Sequence, residues 1–281
     1  MKNALLFSAV LMALAIPTTG HASRGAEIVR TVYFSASDAK GVMVTDLTAS
    51  DLAVKEGGKD RAIASVAAAT APIQVSLLVD DAGTGAFQAP VAQFLETMVG
   101  HGQFSIRAFN PQPSRLTDFT EDVGALKTAL AGIGPRGKIV TVGEQMVGAI
   151  AEAATELQHR KAARAAIVVL TVAGEQGQSN QAEPTLNTLK NSGASLSVVH
   201  LAGLALGQVL GDGPKRSGGV IQQIASGVAP GSVLAKVADN LLQQYVLTYT
   251  LPDGVKPNER FSLTTSRKGI TLVAPSRVPD K

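Results

Sequence analysis

Hydrophobic periodicity changes twice along this chain and divides it into three parts. From Ile28 to Ala67 the pattern is β: Ile28 to Ser37 reads as a strand, Asp38-Ala39-Lys40-Gly41 as a turn, and Leu52 to Glu56 and Arg61 to Val66 as further strands around a Gly57-Gly58 break. Thr48-Ala49-Ser50-Asp51 has the residue types to cap one short helical turn. The Ala67 to Ala71 stretch before Pro72 reads as a linker.

From Ile73 the period lengthens. Ile73 to Val79 is apolar apart from Gln74 and Ser76, and after a Gly-rich loop Phe87, Val91, Phe94, Leu95 and Met98 share one helical face. Further strands are predicted at Gln103 to Phe109, Arg115 to Phe119, Ala165 to Thr171 and Ser195 to Leu201. Helices are predicted at Val123 to Leu130, Gly143 to His159, Glu183 to Asn191 and Leu234 to Leu242. Such alternation implies an α/β fold with a mainly parallel sheet and helices on both faces.

The tail returns to period two. Tyr245, Leu247, Tyr249 and Leu251 alternate with polar or β-branched residues, Pro252-Asp253-Gly254 turns, and Phe261 to Thr265 and Ile270 to Val273 extend again. The economical arrangement pairs the N-terminal segment, residues 23–70, with the C-terminal segment, residues 244–281, in one small β domain. The α/β domain, residues 71–243, would then protrude from it as an insertion. Tyr245 and Tyr249 share a strand face and are expected in the core of that domain rather than on a docking stripe.

The first 22 residues follow another pattern: Lys2, an apolar run from Ala4 to Ile16, and a polar stretch ending Gly20-His21-Ala22. This is the layout of a cleavable export signal, with cleavage expected after Ala22 and the mature protein periplasmic or secreted. About 13 apolar residues fall short of the ~20 that span a bilayer, and no later apolar run is long enough, so no transmembrane segment is expected after cleavage.

Composition then closes several routes to function. With no Cys, the chain has neither disulfides, thiolate metal sites nor a cysteine nucleophile. Its 25 basic and 22 acidic residues form no dense basic stripe, which argues against nucleic acid. Arg160-Lys161-Ala162-Ala163-Arg164 comes closest, and reads as a solvated connection between a helix and a strand. Gly132-Ile133-Gly134-Pro135-Arg136-Gly137 matches a dinucleotide fingerprint in letters only, since a helix rather than a strand precedes it. His101, His159 and His200 are spread too widely to pair on a metal, and no Gly-x-Ser-x-Gly elbow accompanies them.

The loop after the first α/β strand reads Val79-Asp80-Asp81-Ala82-Gly83-Thr84-Gly85. It resembles the von Willebrand factor A domain, which carries Asp-x-Ser-x-Ser there to hold a divalent cation at the carboxyl end of a strand. The segments Val44 to Lys59, Ser217-Gly218-Gly219 and Gln243 to Tyr249 are similar to a bacterial group of exported A-domain-related proteins. The resemblance implies a Rossmann-like sheet with a binding surface above its carboxyl edge, and adhesion or assembly rather than turnover.

In that family two Ser and a later Thr are direct ligands, and two Asp act largely through water. Asp80 matches the first Asp, Thr84 can stand for the second Ser and Thr141 for the later Thr, but Ala82 offers no oxygen. The second Asp would follow a strand like Ile167 to Thr171, where this chain has Val172-Ala173-Gly174-Glu175. The resemblance therefore implies a degenerate metal-ion-dependent adhesion site, with no cofactor expected. Asp80, Thr84 and Thr141 are the residual ligands for weak Mg²⁺ or Ca²⁺, and Asp81 or Glu175 could compensate by reaching in. The surface expected to bind an unknown protein partner comprises Asp80, Asp81, Thr84, Gly85, Thr141 and Glu175, on loops that converge above the sheet. The alternatives are a cation-dependent adhesion protein with a compensated site and a periplasmic hydrolase using Asp80 or His200.

Overall fold

The computed structural model describes residues 27–110, 112–135, 143–175 and 179–280. The proposed export signal, Thr141 and Gln176 lie outside the described residues. The N-terminal strands are β1 (Ile28–Ser37), β2 (Leu52–Glu56), β3 (Lys59–Arg61) and β4 (Ile63–Ala68). A single 3-10 turn, Ala49–Asp51, precedes β2, and Thr48 and Asp51 cap it reciprocally. Strand β4 extends to Ala68, so it absorbs the first two residues of the predicted linker.

The middle of the chain alternates as the periodicity predicts: β5 (Ile73–Asp80), α1 (Gln88–Met98), β6 (Gly102–Asn110), β7 (Gln112–Thr120), α2 (Val123–Ala131), α3 (Gly143–His159), β8 (Arg164–Thr171), α4 (Ser179–Ser192) and β9 (Ser195–Leu201). Two elements follow that the sequence pattern does not suggest, α5 (Gln208–Ser217) and β10 (Ile221–Ile224), before α6 (Pro230–Leu242). The chain closes with β11 (Tyr245–Leu251), β12 (Phe261–Thr265) and β13 (Thr271–Val273).

The six middle strands form one sheet in the order β10-β9-β8-β5-β6-β7. Every pairing in it is parallel except β6 with β7. Side chains leave alternate faces of each strand, and the core divides accordingly. Val75, Leu77, Val79, Val168 and Leu170 pack with Phe94 of α1, Leu126 of α2 and Leu234 of α6. Leu78, Ile167, Val169 and Val198 pack with Ile150 of α3, Leu186 of α4 and Leu210 of α5 on the other face. Because both faces are covered, all eight residues of β8 are buried. Each large apolar side chain so buried contributes roughly 1.5 to 3 kcal/mol.

The terminal strands come together in a second, smaller unit. One sheet has the order β13-β1-β11-β4 and a second the order β12-β2-β3, so strands from both ends of the chain share each sheet. Tyr245 and Tyr249 are buried in the core between them. The Tyr245 hydroxyl donates to the carbonyl of Val44 at 2.8 Å, and the Tyr249 hydroxyl donates to buried Glu56 at 2.6 Å.

The chain crosses between the units twice, after β4 and after α6, and one side chain holds both crossings. Arg164, at the start of β8, is 5% exposed. Its guanidinium donates to the carbonyls of Ala69 and Ala71 at 3.3 Å each, to the Gln244 side chain at 3.0 Å and to the carbonyl of Leu241. This corrects the reading of Arg160 to Arg164 as a solvated connection. Being the first residue of a strand covered on both faces, Arg164 is carried inside, and its donors must find carbonyls there. Arg160 is also engaged, with Gln74 and Gln103 at 2.7 Å each and over the Phe119 ring at 4.5 Å.

Candidate functional site at the carboxyl rim

Strands β5, β8 and β9 end in register, with Asp80 opposite Thr171 and Thr171 opposite His200. The Val172 amide donates to the Asp80 carbonyl at 2.9 Å, so the loops after β5 and β8 leave the sheet side by side. Two of the three loops expected to converge therefore do so, and the third carries Thr141, outside the described residues.

The β5 loop is built around Asp81. Its carboxylate is fully buried and accepts from the amides of Gly83 at 3.0 Å and Gly85 at 2.8 Å. To present both amides, the chain takes positive φ at Ala82 (53°), Gly83 (74°) and Gly85 (77°). Glycine tolerates this region freely, whereas Ala82 is strained there. At Gly85 a Cβ would also lie 2.7 Å from Pro135, so that position serves the close approach of another loop. The Thr84 hydroxyl donates to the Asp81 carbonyl at 2.8 Å and accepts from the Ala86 amide at 3.2 Å, although the residue is exposed. Buried Asp80 lies beside this turn, with Oδ1 3.4 Å from the Ala82 amide.

The β8 loop is held by a second acid. Glu175 accepts from the amides of Val209 at 3.1 Å and Leu210 at 2.7 Å, the first turn of α5. Gly207 precedes that helix and has no side chain to cap it, so a carboxylate from another loop satisfies the orphan amides and faces the positive end of the helix dipole. Sequence reasoning placed Glu175 on the rim and missed this partner, because α5 itself was not visible. His200 is buried and its Nδ1 lies 2.8 Å from the Leu201 carbonyl. Thr171, the nearest hydroxyl by register, exchanges its hydrogen bonds with Ala173 at 2.8 and 3.0 Å.

Ala82 has no side-chain oxygen, and the carboxylates of Asp81 and Glu175 already hold two amides each. Among the described residues, no group of three or more His, Cys, Asp or Glu could hold a metal ion.

The sequence matches no protein-family model, and no curated protein matches it. Solved structures do match. One is a von Willebrand factor type A protein from Catenulispora acidiphila, 7% identical, covering 92% of this chain and 76% of that one with a TM-score of 0.50. The fold is that of a von Willebrand factor A domain. At 92% coverage the likeness to that structure extends beyond the α/β part into the terminal strands. BatB from Bacteroides thetaiotaomicron is 14% identical over 60% of this chain and 98% of its own, with a TM-score of 0.44. The A domain of the type V pili tip protein Mfa5 from Porphyromonas gingivalis is 12% identical over 62% and 95%, with a TM-score of 0.45. In this chain the carboxyl rim of that fold is braced by its own carboxylates. Among the described residues, no helix of the A-domain fold or its companion is long and apolar enough to cross a membrane.

Proposed function

We propose that this protein is an exported A-domain module that binds a protein partner at its carboxyl rim without catalysis and without a tightly held cation. The observation that carries the reading is the use of Asp81 and Glu175. Both acids that could have compensated for the missing ligands hold backbone amides instead. A cation drawing on either would have to strip it from amides that have no other partner among the described residues, at a cost of about 1 to 3 kcal/mol per orphaned group. The same hydrogen bonds keep the rim in shape with no metal, which a preformed binding surface needs. Partner contacts then fall to exposed groups such as Thr84 and to ordinary shape and polar complementarity.

Calorimetric titration with Mg²⁺, Mn²⁺ and Ca²⁺ is expected to show no tight saturable binding. Micromolar affinity abolished by Asp80→Ala would instead establish a compensated adhesion site. In parallel, a pull-down from the native envelope fraction is expected to recover the same partner with and without chelator, and to lose it with Thr84→Arg. Recovery that requires a divalent cation would overturn the metal-free reading, and turnover dependent on Asp80 or His200 in a broad substrate screen would overturn the non-catalytic one.

A further inference from the structure

The opposite rim of the sheet, where the strands begin, holds a cavity of about 180 Å³ between the two domains. Three cationic side chains line it, Arg164 and Lys190 from the α/β domain and Arg277 from the C-terminal segment, and no Asp or Glu does. Lys190 and Arg277 share one acid outside the lining, Glu259, with Lys190 at 2.7 Å. Lys190 also approaches Asp280 at 3.9 Å. Among the described residues Arg164 has no acidic partner: every group it donates to is a carbonyl or an amide oxygen.

A guanidinium buried without a counter-ion is unusual, since buried charges are normally paired. Burial pulls the Arg164 pKa down, the direction expected for a cation short of compensation. Two hydroxyls reach the same space. Ser195 is 8% exposed and lines the cavity, and neither its hydroxyl nor that of Tyr33 makes a hydrogen bond among the described residues. Three cations and two hydroxyls therefore line one half-open space, with the single shared acid, Glu259, outside its lining.

We infer that this cavity binds a small oxyanion, a phosphate or short dicarboxylate, held between Arg164 and Lys190 on one domain and Arg277 on the other. The size agrees, since a cavity of about 150 Å³ accommodates benzene, close in bulk to such an anion. The site is independent of the carboxyl rim: along β8 it lies about 23 Å from Thr171, at roughly 3.3 Å per residue. Because its ligands come from both domains, occupancy would stiffen the junction that Arg164 clamps.

The test is calorimetry and thermal shift on the purified protein at low ionic strength, with inorganic phosphate, succinate and, as a charge-reversed control, putrescine. Saturable binding of phosphate or succinate but not putrescine is expected, and which of the two binds more tightly identifies the source chemistry. Arg277→Gln and Lys190→Gln should each weaken binding about tenfold, the effect of one charge-assisted hydrogen bond. Glu259→Gln should strengthen it by releasing both cations, a gain that a folding defect cannot mimic. Failure of both anions to bind, or binding indifferent to the Lys190 and Arg277 substitutions, would overturn the inference.

Discussion

At the carboxyl rim of the sheet buried or half-buried acids are held by amides, and at the amino rim a buried base is held by carbonyls. Asp81 and Glu175 each take two backbone N–H groups, while Arg164 gives its donors to Ala69, Ala71 and Leu241. The difference follows from the direction of the chain. In a parallel sheet each strand feeds a helix that starts at the carboxyl rim and ends at the amino rim, so unpaired N–H groups collect at one edge and unpaired C=O groups at the other. Glu175 meets the first turn of α5, and Arg164 meets the last turn of α6. Charged residues at both rims thus act first as parts of the scaffold, and the two edges differ in what remains over. The carboxyl rim keeps exposed Thr84, whereas the amino rim keeps three cations around a half-open cavity.

The amino rim offers the largest effect. Replacing Arg164 with Met keeps much of the volume but removes the donors from carbonyls on both interdomain crossings. Buried acceptors left without partners make the expected loss about 3 kcal/mol in urea unfolding. Faster amide exchange at Ala69 and Gln243, next to the released groups, should accompany it. A loss within about 0.5 kcal/mol, the range of ordinary surface substitutions, would show that Arg164 is no clamp and would erase the contrast between the rims.

At the carboxyl rim the corresponding test is Asp81→Ala. It orphans the amides of Gly83 and Gly85 in a loop already strained at Ala82. The expected cost is about 2 kcal/mol, the range for a buried charged acceptor. Exchange at those two amides should rise well before global unfolding. If Asp81→Ala leaves stability and exchange unchanged, the loop does not depend on its own acid, and a bound cation becomes the better explanation of its shape.

How much of this was legible in the sequence depends on whether periodicity or partnership decides. Strand β5 and helix α1 follow from apolar spacing, and the pairing of terminal strands follows from alternation at both ends. Helix α5 did not show itself because its ten residues, Gln208 to Ser217, include two Gly and a Pro and bury few large apolar side chains. The same Gly213 explains why the helix forms: a Cβ there would lie 2.7 Å from Leu196, so its absence lets α5 pack closely on β9. The roles of the charged residues were hidden for a related reason. Asp80 and Asp81 are adjacent and identical in type, and the sequence does not show that the amides of Gly83 and Gly85 turn onto the second of them. Arg164 reads as surface by composition, and only the burial of both faces of β8 draws it inside.

Glu175 gives the smallest and most discriminating test, because its two possible contributions can be separated. As a cap it satisfies two amides of α5, and as a charge it faces the positive end of the helix dipole. Glu175→Ala removes both, and the expected destabilisation is about 1 kcal/mol, as for loss of a helix N-cap. Glu175→Gln removes the charge and keeps one acceptor oxygen, so either the Val209 or the Leu210 amide loses its partner and the variant should fall between the two. Added salt should narrow the gap between wild type and Glu175→Gln, since dipole interactions near a surface are screened. The gap between Glu175→Gln and Glu175→Ala should persist, because a hydrogen bond is not. If instead all three proteins exchange the Val209 and Leu210 amides at one rate, Glu175 does not cap α5. Its carboxylate would then be available above the sheet, and the metal-free reading of the rim would lose half its support.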